Sequence, residues 1–533
     1  MYPDHVQQFQ FNYPNFFKKT NIKTNIKTNI KRSILFIALS ILLAACNDNQ
    51  PPVFVVIPPS ASALDEDIRA IIASKNLTGD PSKGKILPNI EDPKAQLGMK
   101  LFFSKSLSGE RDSACVSCHH PMLGGGDDLV LPIGVDAQIF DLLGPGRIHS
   151  ISGEHYDGGP TVPRNSPTTF NVALWDNFMF HDGRIESLGK TPNMGGNDGL
   201  GIRTPDVPIG EVDNDAGQNL VVAQARFPVT SKEEMKNFST FEDITNAEVR
   251  DNLEQRLGDY GNPLGGMLMV NYWLAEFQYA FSAPDASAEE LVTFNNIADA
   301  IGEYERSQVF VDTPWKKYVE GDDSVISEIA KRGAKLFFST GQDGGANCSS
   351  CHSGDFFTDE SFHVIGMVQI GRGKGDGDFG TEDFGRFRET KDEKDKYAFR
   401  TPSLLNVTAT GPWGHAGGSA TLEQAIRTHL NPQKVLNNYD ISQLDPNIQA
   451  VDMVINTQRS IDKLLANRAA GIASIEDISL SDTQVAELLA FIEVLTDSCV
   501  EDTQCLRQWI PDASDTNPDT LRINAIDGDG NYL

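Results

Sequence analysis

Residues 115–119 read CVSCH and residues 348–352 read CSSCH, and this stretch, present twice, decides how the rest of the chain is interpreted. With this spacing, two thiols on one helical turn can add to the vinyl groups of a heme, and the adjacent histidine is presented to the iron. A redox-active thiol pair or a zinc knuckle is the alternative for either copy alone. We expect two covalently bound heme c groups, attached through Cys115, Cys118, Cys348 and Cys351, with His119 and His352 as axial ligands.

The two motifs belong to a longer internal repeat. Several landmarks recur at an offset of 233 to 235 residues: the sequence KLFF (100–103 and 335–338), the first cysteine of each motif, Pro167 and Pro402, and His181 and His415. This period is far too long for a solenoid. The constant offset predicts two homologous heme domains in tandem.

Apolar residues recur at helical spacing in residues 291–304 and 485–495. Ser481 and Gln484 form a capping box ahead of the second segment. Alternating patterns typical of strands are scarce. The expected fold is therefore mainly α, with two tandem cytochrome c-like heme domains related by internal duplication.

The chain divides into five predicted regions. Stretches rich in Gly, Asp and Asn at 189–218 and 371–395 are expected to be long surface loops. The regions are a signal peptide (1–46), a linker and N-terminal extension (47–85), an N-terminal heme domain (86–320), a C-terminal heme domain (321–498), and a tail that packs back on the body (499–533).

The N-terminal residues have the pattern of an export signal. Basic residues between 18 and 32 precede an apolar run at 33–45, which is too short to span a bilayer comfortably. The run ends in Leu-Ala-Ala-Cys46, which resembles the lipobox of bacterial lipoproteins, so Cys46 is the expected lipidation site. An ordinary signal peptide is the alternative. Both interpretations predict a periplasmic protein, and the lipobox adds a lipid anchor in the membrane.

Charge and cysteine usage agree with export. A formal net charge of −29 argues against nucleic acid and anionic lipid as partners, and it favours a partner with a basic face. Cys499 and Cys505 are expected to form a disulfide in an oxidising compartment, with two free thiols as the alternative.

With two heme motifs in this order, the chain resembles the bacterial diheme cytochrome c peroxidase family, which includes the methylamine-utilisation (MauG) type oxidases. The resemblance covers roughly residues 97–496. Besides the heme motifs it is carried by RNSPT (164–168), FHDGR (180–184), QARFP (224–228), EEM (233–235), FRTP (399–402), TGP (410–412) and LEQA (422–425).

The resemblance implies that the N-terminal heme reacts with hydrogen peroxide and the C-terminal heme passes electrons to it. Gln224 and Glu234 would lie on the distal side of the first heme, where Glu234 moves a proton and Gln224 orients the peroxide. Solvated loop side chains are the alternative for both. Asn165 and the backbone carbonyls of Thr410 and Pro412 would hold a calcium ion, although Asn165 could also be only a turn residue.

Three positions depart from the usual family pattern. Val135 occupies the position of a distal histidine, which leaves the first iron open. His181 replaces the tryptophan between the hemes and is expected on the inter-heme electron path. The distal ligand of the second heme, usually methionine or tyrosine, corresponds to His429, on a helix opened by Thr421.

Other histidines are assigned less direct roles. His149 and His155 lie in an insertion after Val135 and could replace the missing ligand, but we expect exposed loop histidines. His120 is expected to be a solvent-facing neighbour of the first heme turn.

The expected function is peroxidase activity, in which hydrogen peroxide is reduced with electrons from a small cytochrome c or cupredoxin. One alternative is the MauG type, which oxidises tryptophan or tyrosine residues of a partner protein. Another is a plain electron carrier, against which Val135 argues because it leaves one iron open. A homodimer is compatible with the sequence.

Overall fold

The structure of the chain is a computed structural model that describes residues 62–153, 155–473 and 475–533. The predicted signal peptide, Cys46 and the first part of the linker lie outside the described residues. None of the described helices combines the length and the apolar character that crossing a membrane requires.

Helices provide most of the regular structure, which confirms the prediction of a mainly helical chain. Fifteen α-helices lie within the described residues: α1 (Ala63–Ser74), α2 (Pro93–Phe102), α3 (Leu220–Ala225), α4 (Asn246–Gly258), α5 (Trp273–Ala280), α6 (Ala288–Leu291), α7 (Phe294–Arg306), α8 (Pro314–Val319), α9 (Glu328–Phe338), α10 (Phe387–Thr390), α11 (Leu422–Leu430), α12 (Pro432–Asn437), α13 (Met453–Ala469), α14 (Asp482–Glu493) and α15 (Thr503–Leu506).

The strands are short and form two small antiparallel sheets. The first has the order β1 (Phe178–Met179), β2 (Ile185–Ser187), β3 (Ile202–Arg203), and the second pairs β4 (Phe362–His363) with β5 (Phe399–Arg400). Met179 is opposite Ile185, so the turn between β1 and β2 carries His181. Because Phe362 is opposite Arg400, β4 and β5 bring the region after the second motif beside the segment that precedes His415.

In the N-terminal half, α2 crosses α7 at very short range. A Cβ added at Gly98 of α2 would lie 1.9 Å from the Ala300 carbonyl oxygen and 2.8 Å from the Tyr304 Cβ. Only glycine therefore permits this approach. The apolar faces of both helices meet in one core that includes Leu101, Ile297 and Tyr304, so the predicted helix over this segment is found and its apolar face is buried.

The C-terminal half repeats this arrangement with α9 and α14. A Cβ at Gly333 would lie 1.8 Å from the Glu487 carbonyl oxygen and 2.8 Å from the Phe491 Cβ. Gly333 follows Gly98 by 235 residues, which is the offset of the sequence repeat. Shared descent of the two halves stays a prediction, but the same crossing supports a core in each.

Helix α14 begins at the capping box that the sequence predicts. The Ser481 side chain accepts from the Gln484 backbone N–H while the Gln484 side chain accepts from the Ser481 backbone, the predicted capping box. Thr421 likewise caps α11, its hydroxyl accepting from the backbone N–H of Gln424.

The two ends of the described chain pack against opposite halves. Helix α1 lies in the core of the C-terminal half with Trp315 of α8, although the predicted boundary at residue 320 assigns α8 to the N-terminal domain. The tail from residue 499 packs on the core of the N-terminal half, where the Tyr304 hydroxyl donates to the Trp509 carbonyl at 2.8 Å. Cys499 and Cys505 form a disulfide within this tail.

The close helix crossing gives a first testable expectation. Gly333→Ala should destabilise the chain by about 1–3 kcal/mol or more, because the added methyl has no space against Glu487 and overpacking strains the core. The matched control is Gly341→Ala, where the nearest atom to the added Cβ is 3.7 Å away and the effect should stay within about 0.5 kcal/mol. Denaturant unfolding of the heme-loaded chain measures both, and equal midpoints for the two variants would contradict the argument.

Candidate functional site

The first motif forms a tight turn that presents two thiols. Residues Cys115–Ser117 make one 3-10 turn, which the Ser117 hydroxyl steadies by accepting from the Ala114 backbone N–H at 3.0 Å. Cys115 and Cys118 are half-buried and form no disulfide. Burial raises the pKa of both thiols above the usual range. The pair is therefore available for modification by a group that enters the same crevice.

His119 is held as a neutral imidazole in one orientation. Its Nδ1 donates to the Gly125 carbonyl, 3.1 Å away, so Nε2 keeps its lone pair. Burial lowers the pKa of His119 to about 4. Ser166 donates its hydroxyl to the Cys118 carbonyl and lies 3.3 Å from His119 Nε2. A neutral ring whose other nitrogen is fixed by a backbone carbonyl is the usual state of a metal-binding histidine.

The second motif repeats this chemistry. His352 Nδ1 donates to the Phe357 carbonyl at 3.1 Å, and burial lowers the pKa of His352 to about 4. His429, on α11, has the same arrangement, since its Nδ1 lies 2.8 Å from the Ala425 carbonyl. Burial among protein atoms also lowers the pKa of His429, although its side chain remains accessible to solvent. Both rings thus keep Nε2 unprotonated.

The spacing of these two rings tests whether a heme iron fits between them. The ring centroids of His352 and His429 are 6.1 Å apart. Bonds of about 2.0–2.1 Å from a metal to an imidazole on each side place the ring centroids about 6 Å apart. Among the described residues, this is the one pair of histidine rings in contact. The residues present therefore fit one heme at each motif, and binding of the second iron by both His352 and His429 stays a prediction.

The backbone of Gly134 and Val135 packs on the backbone of Glu233 and Glu234, whose carbonyl accepts from the Ser113 hydroxyl just before the first motif. Val135 is fully buried, and its backbone N–H donates to the Glu233 carbonyl at 3.3 Å. A Cβ at the neighbouring Gly134 would lie 2.5 Å from the Glu234 carbonyl oxygen, so glycine is required there. Glu234 is part of a one-turn π-helix, Lys232–Lys236, a conformation found often at functional sites.

The Glu234 carboxyl faces the space next to the first motif. Its charge acts on both Cys115 and Cys118. Burial raises the pKa of Glu234 above the usual range, and the positive charges of Arg184 and Lys374 offset part of that rise. A carboxyl whose charged form is disfavoured by burial is a candidate for proton transfer.

Gln224 lies on α3 and is half-buried. Within the described part of the chain, no residue forms a hydrogen bond with its side-chain amide. Helix α3 packs against α7, so Gln224 belongs to the same half of the molecule as Glu234. The assignment of both residues to the distal side of a heme stays a prediction.

The insertion after Val135 is more ordered than the sequence indicates. The buried Arg147 side chain donates to the carbonyls of Ile133, Gly134, Phe140 and Leu142, which folds the insertion over Val135. His149 follows in this segment and is 5 % exposed, so the expectation of an exposed loop histidine is wrong for it.

The burial of His149 comes from a β-bridge between its backbone and Ala137. Its Nδ1 lies 2.9 Å from the Ser150 carbonyl, and its buried Nε2 has no hydrogen-bond partner. The ring stacks on Tyr156, with centroids 5.5 Å apart. His155 is exposed, as expected. His149 is therefore the stronger of the two candidates for a replacement ligand.

His120 also departs from expectation. It is fully buried, not solvent-facing, because its backbone bridges to Gly126 and turns the ring towards Phe103. Its Nδ1 accepts from the Met122 backbone N–H at 3.1 Å, and burial lowers the pKa of the ring to about 3. His120 is thus a structural group that fixes the turn after the first motif.

His181 lies at the junction of the two halves. Its Nε2 donates to the Asn165 carbonyl at 3.1 Å, and burial, with a smaller effect of Arg164, lowers the pKa of His181 to about 4. Arg164 forms ion pairs with Asp182 from the first half and Asp383 from the second, each at 2.6 Å. The predicted inter-heme residue is therefore half-buried and held by a hydrogen bond beside a buried ion-pair cluster.

The predicted calcium ligands lie near this junction. The Asn165 amide nitrogen donates to the Leu129 and Val130 carbonyls, which leaves Asn165 Oδ1 as the atom that could bind a cation. Thr410 and Pro412 are half-buried, so their carbonyls are not sealed in a core. Calcium binding by these three residues stays a prediction.

His363 is a site residue that the sequence reasoning missed. Its Nε2 lies 2.7 Å from Asp359 Oδ2, and one ligand atom from each of Cys351, Asp359 and His363 lies within 4.8 Å of the others. The hydrogen bond that His363 donates to Asp359, followed by that to Cys351, raises the pKa of His363 to about 10. In the sequence, the spacing Asp359-x-x-x-His363 was the signal that could have identified this pair. A positive charge therefore lies beside the second motif.

The chain is similar to known proteins over much of its length. Residues 92–324 match the family model described as "Di-haem cytochrome c peroxidase". The chain is 28 % identical over 345 residues to cytochrome c551 peroxidase of Pseudomonas aeruginosa, covering 64 % of this chain and 73 % of that protein. It is 28 % identical over 371 residues to the methylamine utilization protein MauG of Methylorubrum extorquens, covering 70 % and 78 %. Among solved structures, a MauG-like protein associated with microbial copper homeostasis aligns with a TM-score of 0.49 at 21 % identity, covering 80 % and 97 %.

The geometry of His352 and His429 gives a spectroscopic expectation. His429→Met should raise the reduction potential of the second heme and introduce a sulfur-to-iron charge-transfer band, since thioether stabilises ferric iron less than imidazole does. The matched control is His155→Met, at an exposed position where the spectrum should not change. An unchanged spectrum after His429→Ala would show that another residue binds this iron.

Proposed function

From the membership of this chain in the di-haem cytochrome c peroxidase family, whose model matches residues 92–324, we propose that it reduces hydrogen peroxide to water with electrons from a small redox protein. The two sequence relatives named above are equally similar, at 28 % identity, so the choice of reaction rests on the site. The observation that carries the proposal is the packing of Gly134 and Val135 on the backbone of Glu233 and Glu234. Val135 cannot bind a metal, and the Glu234 carboxyl can move a proton.

The chain offers a complete set of residues for two hemes. A bound heme supplies an iron that coordinates peroxide and exchanges electrons. The first would be held by Cys115, Cys118 and His119, and the second by Cys348, Cys351, His352 and His429. With valine at position 135, no side chain at that position closes the distal side of the first site.

Glu234 carries out the proton transfer in this mechanism. Cleavage of the O–O bond requires the proton on the nearer peroxide oxygen to move to the farther one, which then leaves as water. The Glu234 carboxylate accepts the first proton and returns it to the farther oxygen. Burial assists the first step, because it raises the pKa of Glu234 and so favours the protonated form that results from acceptance. The Gln224 amide donates a hydrogen bond that orients the peroxide.

The reaction consumes two electrons and two protons for each peroxide converted to two waters. Electrons enter through the second half and reach the first through the junction that contains His181. The net charge of −29 attracts a donor with a basic face and speeds its encounter with the protein. The Cys499–Cys505 disulfide supports a periplasmic location, where an anchor at Cys46 would hold the protein at the membrane.

One observation favours a second candidate function, the oxidation of tryptophan or tyrosine residues in a partner protein as in MauG-type oxidases. The second site offers a ligand other than methionine, since His429 lies opposite His352. Mass spectrometry of a co-expressed partner distinguishes the two functions, because modified aromatic residues appear only with the second. Turnover of peroxide with reduced cytochrome c supports the first.

Replacement of Glu234 tests the proposed reaction. Glu234→Gln should slow peroxide turnover with reduced cytochrome c by about 10²–10⁴-fold, because the amide cannot accept the proton. Both hemes should stay attached, as intact mass shows. Glu242→Gln is the control, since the Glu242 side chain is 38 % exposed and pairs only with Lys232, and its rate should equal that of the wild type. A wild-type rate in Glu234→Gln would remove Glu234 from the mechanism.

A further inference from the structure

Helix α7 carries a buried carboxyl that the proposed mechanism does not use. Glu305 is 6 % exposed, and its Oε2 is buried without a hydrogen-bond partner. Among the described residues, none forms an ion pair with it. A buried carboxylate without a partner is costly, so such a group tends to stay protonated.

Glu305 lies next to the first heme motif. After the larger effect of burial, its charge raises the pKa of the Cys115 thiol, on which Glu234 acts more weakly. Glu305 also acts on Tyr304, whose hydroxyl is already donated to the Trp509 carbonyl. The carboxyl is therefore close enough to the attachment point of the first heme for a change of charge at the heme to alter the protonation of Glu305.

The other charged groups on the helices packed against α7 have partners of their own. On α2 and α4 these pairs are Lys94 with Asp299, Lys100 with Glu276, Arg250 with Asp206, and Glu254 with the Phe294 backbone N–H. Helix α3 carries no titratable side chain. None of these groups neutralises Glu305, so burial raises the pKa of Glu305 to about 8.

The second half shows that the fold does not need a carboxyl at this position. The contacts of Gly98 with Ala300 and Tyr304 correspond to those of Gly333 with Glu487 and Phe491. The residue after Tyr304 is Glu305, and the residue after Phe491 is Ile492, which is also 6 % exposed. An apolar side chain fills the equivalent position in the second half, so packing does not explain Glu305.

A second buried acid lies on the other side of the first motif. Asp127 Oδ2 is buried without a partner, and Asp127 acts on Cys118. It differs from Glu305 because the buried Arg147 guanidinium faces it and its other oxygen accepts from the Leu129 backbone N–H. Burial nevertheless raises the pKa of Asp127 to about 8, so any slope that survives in the Glu305 variants is assigned to Asp127. Glu305 differs in that burial alone acts on its carboxyl.

We propose that Glu305 couples a proton to the redox state of the first heme: where its carboxyl is ionised while the iron is oxidised, it takes up a proton from solvent when the iron gains one electron, and it releases that proton when the iron loses the electron. The electron comes from the redox donor, and the proton neutralises the negative charge that it brings into a buried site. This inference rests on the proposed function, because it requires a heme at Cys115 and Cys118. Glu305 acts through the charge that it places beside the heme, and it does not contact peroxide.

The test measures the reduction potential of the first heme in the heme-loaded chain from about pH 5 to about pH 10, a range that brackets the pKa of about 8. In the wild type the potential should fall with rising pH, by up to about 59 mV for each tenfold fall in proton concentration. Glu305→Gln and Glu305→Ile, the latter copying Ile492, should remove this part of the slope. Glu303→Gln should retain it, because Glu303 lies on the same helix but pairs with Arg306.

Equal slopes in the wild type and both Glu305 variants would overturn the inference. The potential of the second heme is an internal control, since its slope should be the same in all variants. Intact mass separates this failure from that of the proposed function. If no heme is attached through Cys115 and Cys118, the proposed function and this inference fail together. If both hemes are attached and peroxide is reduced but the slopes are equal, only the role of Glu305 fails.

Discussion

A hydrogen bond from ring Nδ1 to a backbone carbonyl fixes each of the three imidazoles assigned to the irons, and the structure is arranged to make those bonds. The acceptors are Gly125 for His119, Phe357 for His352 and Ala425 for His429. The pKa of each ring is lowered, although the His429 side chain is exposed to solvent, and the carbonyls fix which nitrogen is free. The cores of the two halves depend on two helix crossings, at Gly98 and at Gly333, where a methyl group would collide with a facing carbonyl.

Hydrogen bonds and ion pairs also link the N-terminal half to the C-terminal half. Asn171 and Asn406, at equivalent positions of the repeat, both donate their side-chain amides to the Phe310 carbonyl, at 3.0 and 2.9 Å. Arg164 binds carboxylates from both halves in a buried cluster. Breaking a buried pair of this kind by removing one partner costs about 3–5 kcal/mol. A rigid junction suits electron transfer between two sites, because the separation of the sites does not fluctuate.

Local signals allowed much of this architecture to be predicted from the sequence. The spacing of the motifs, the capping box at Ser481 and the cap at Thr421 all involve residues within one or two helical turns. The burial of His120 and His149 could not be predicted in this way. Each depends on a bridge between segments that have no regular pattern, with Gly126 and Ala137 as the partners. The role proposed for Glu305 could not be predicted from the sequence either. A single acidic residue on a helix stands out only when the structure shows that it is buried and has no partner.

The central claim is that the first iron is open while the second is bound by two histidines. Electron paramagnetic resonance of the fully oxidised wild-type protein, before and after peroxide is added, tests this most directly. The account predicts one high-spin and one low-spin ferric signal at rest, with loss of the high-spin signal on peroxide addition without prior reduction. Two low-spin signals that ignore peroxide would contradict it. The buried His149, whose Nε2 has no partner, would then be the residue to examine as the second ligand of the first iron.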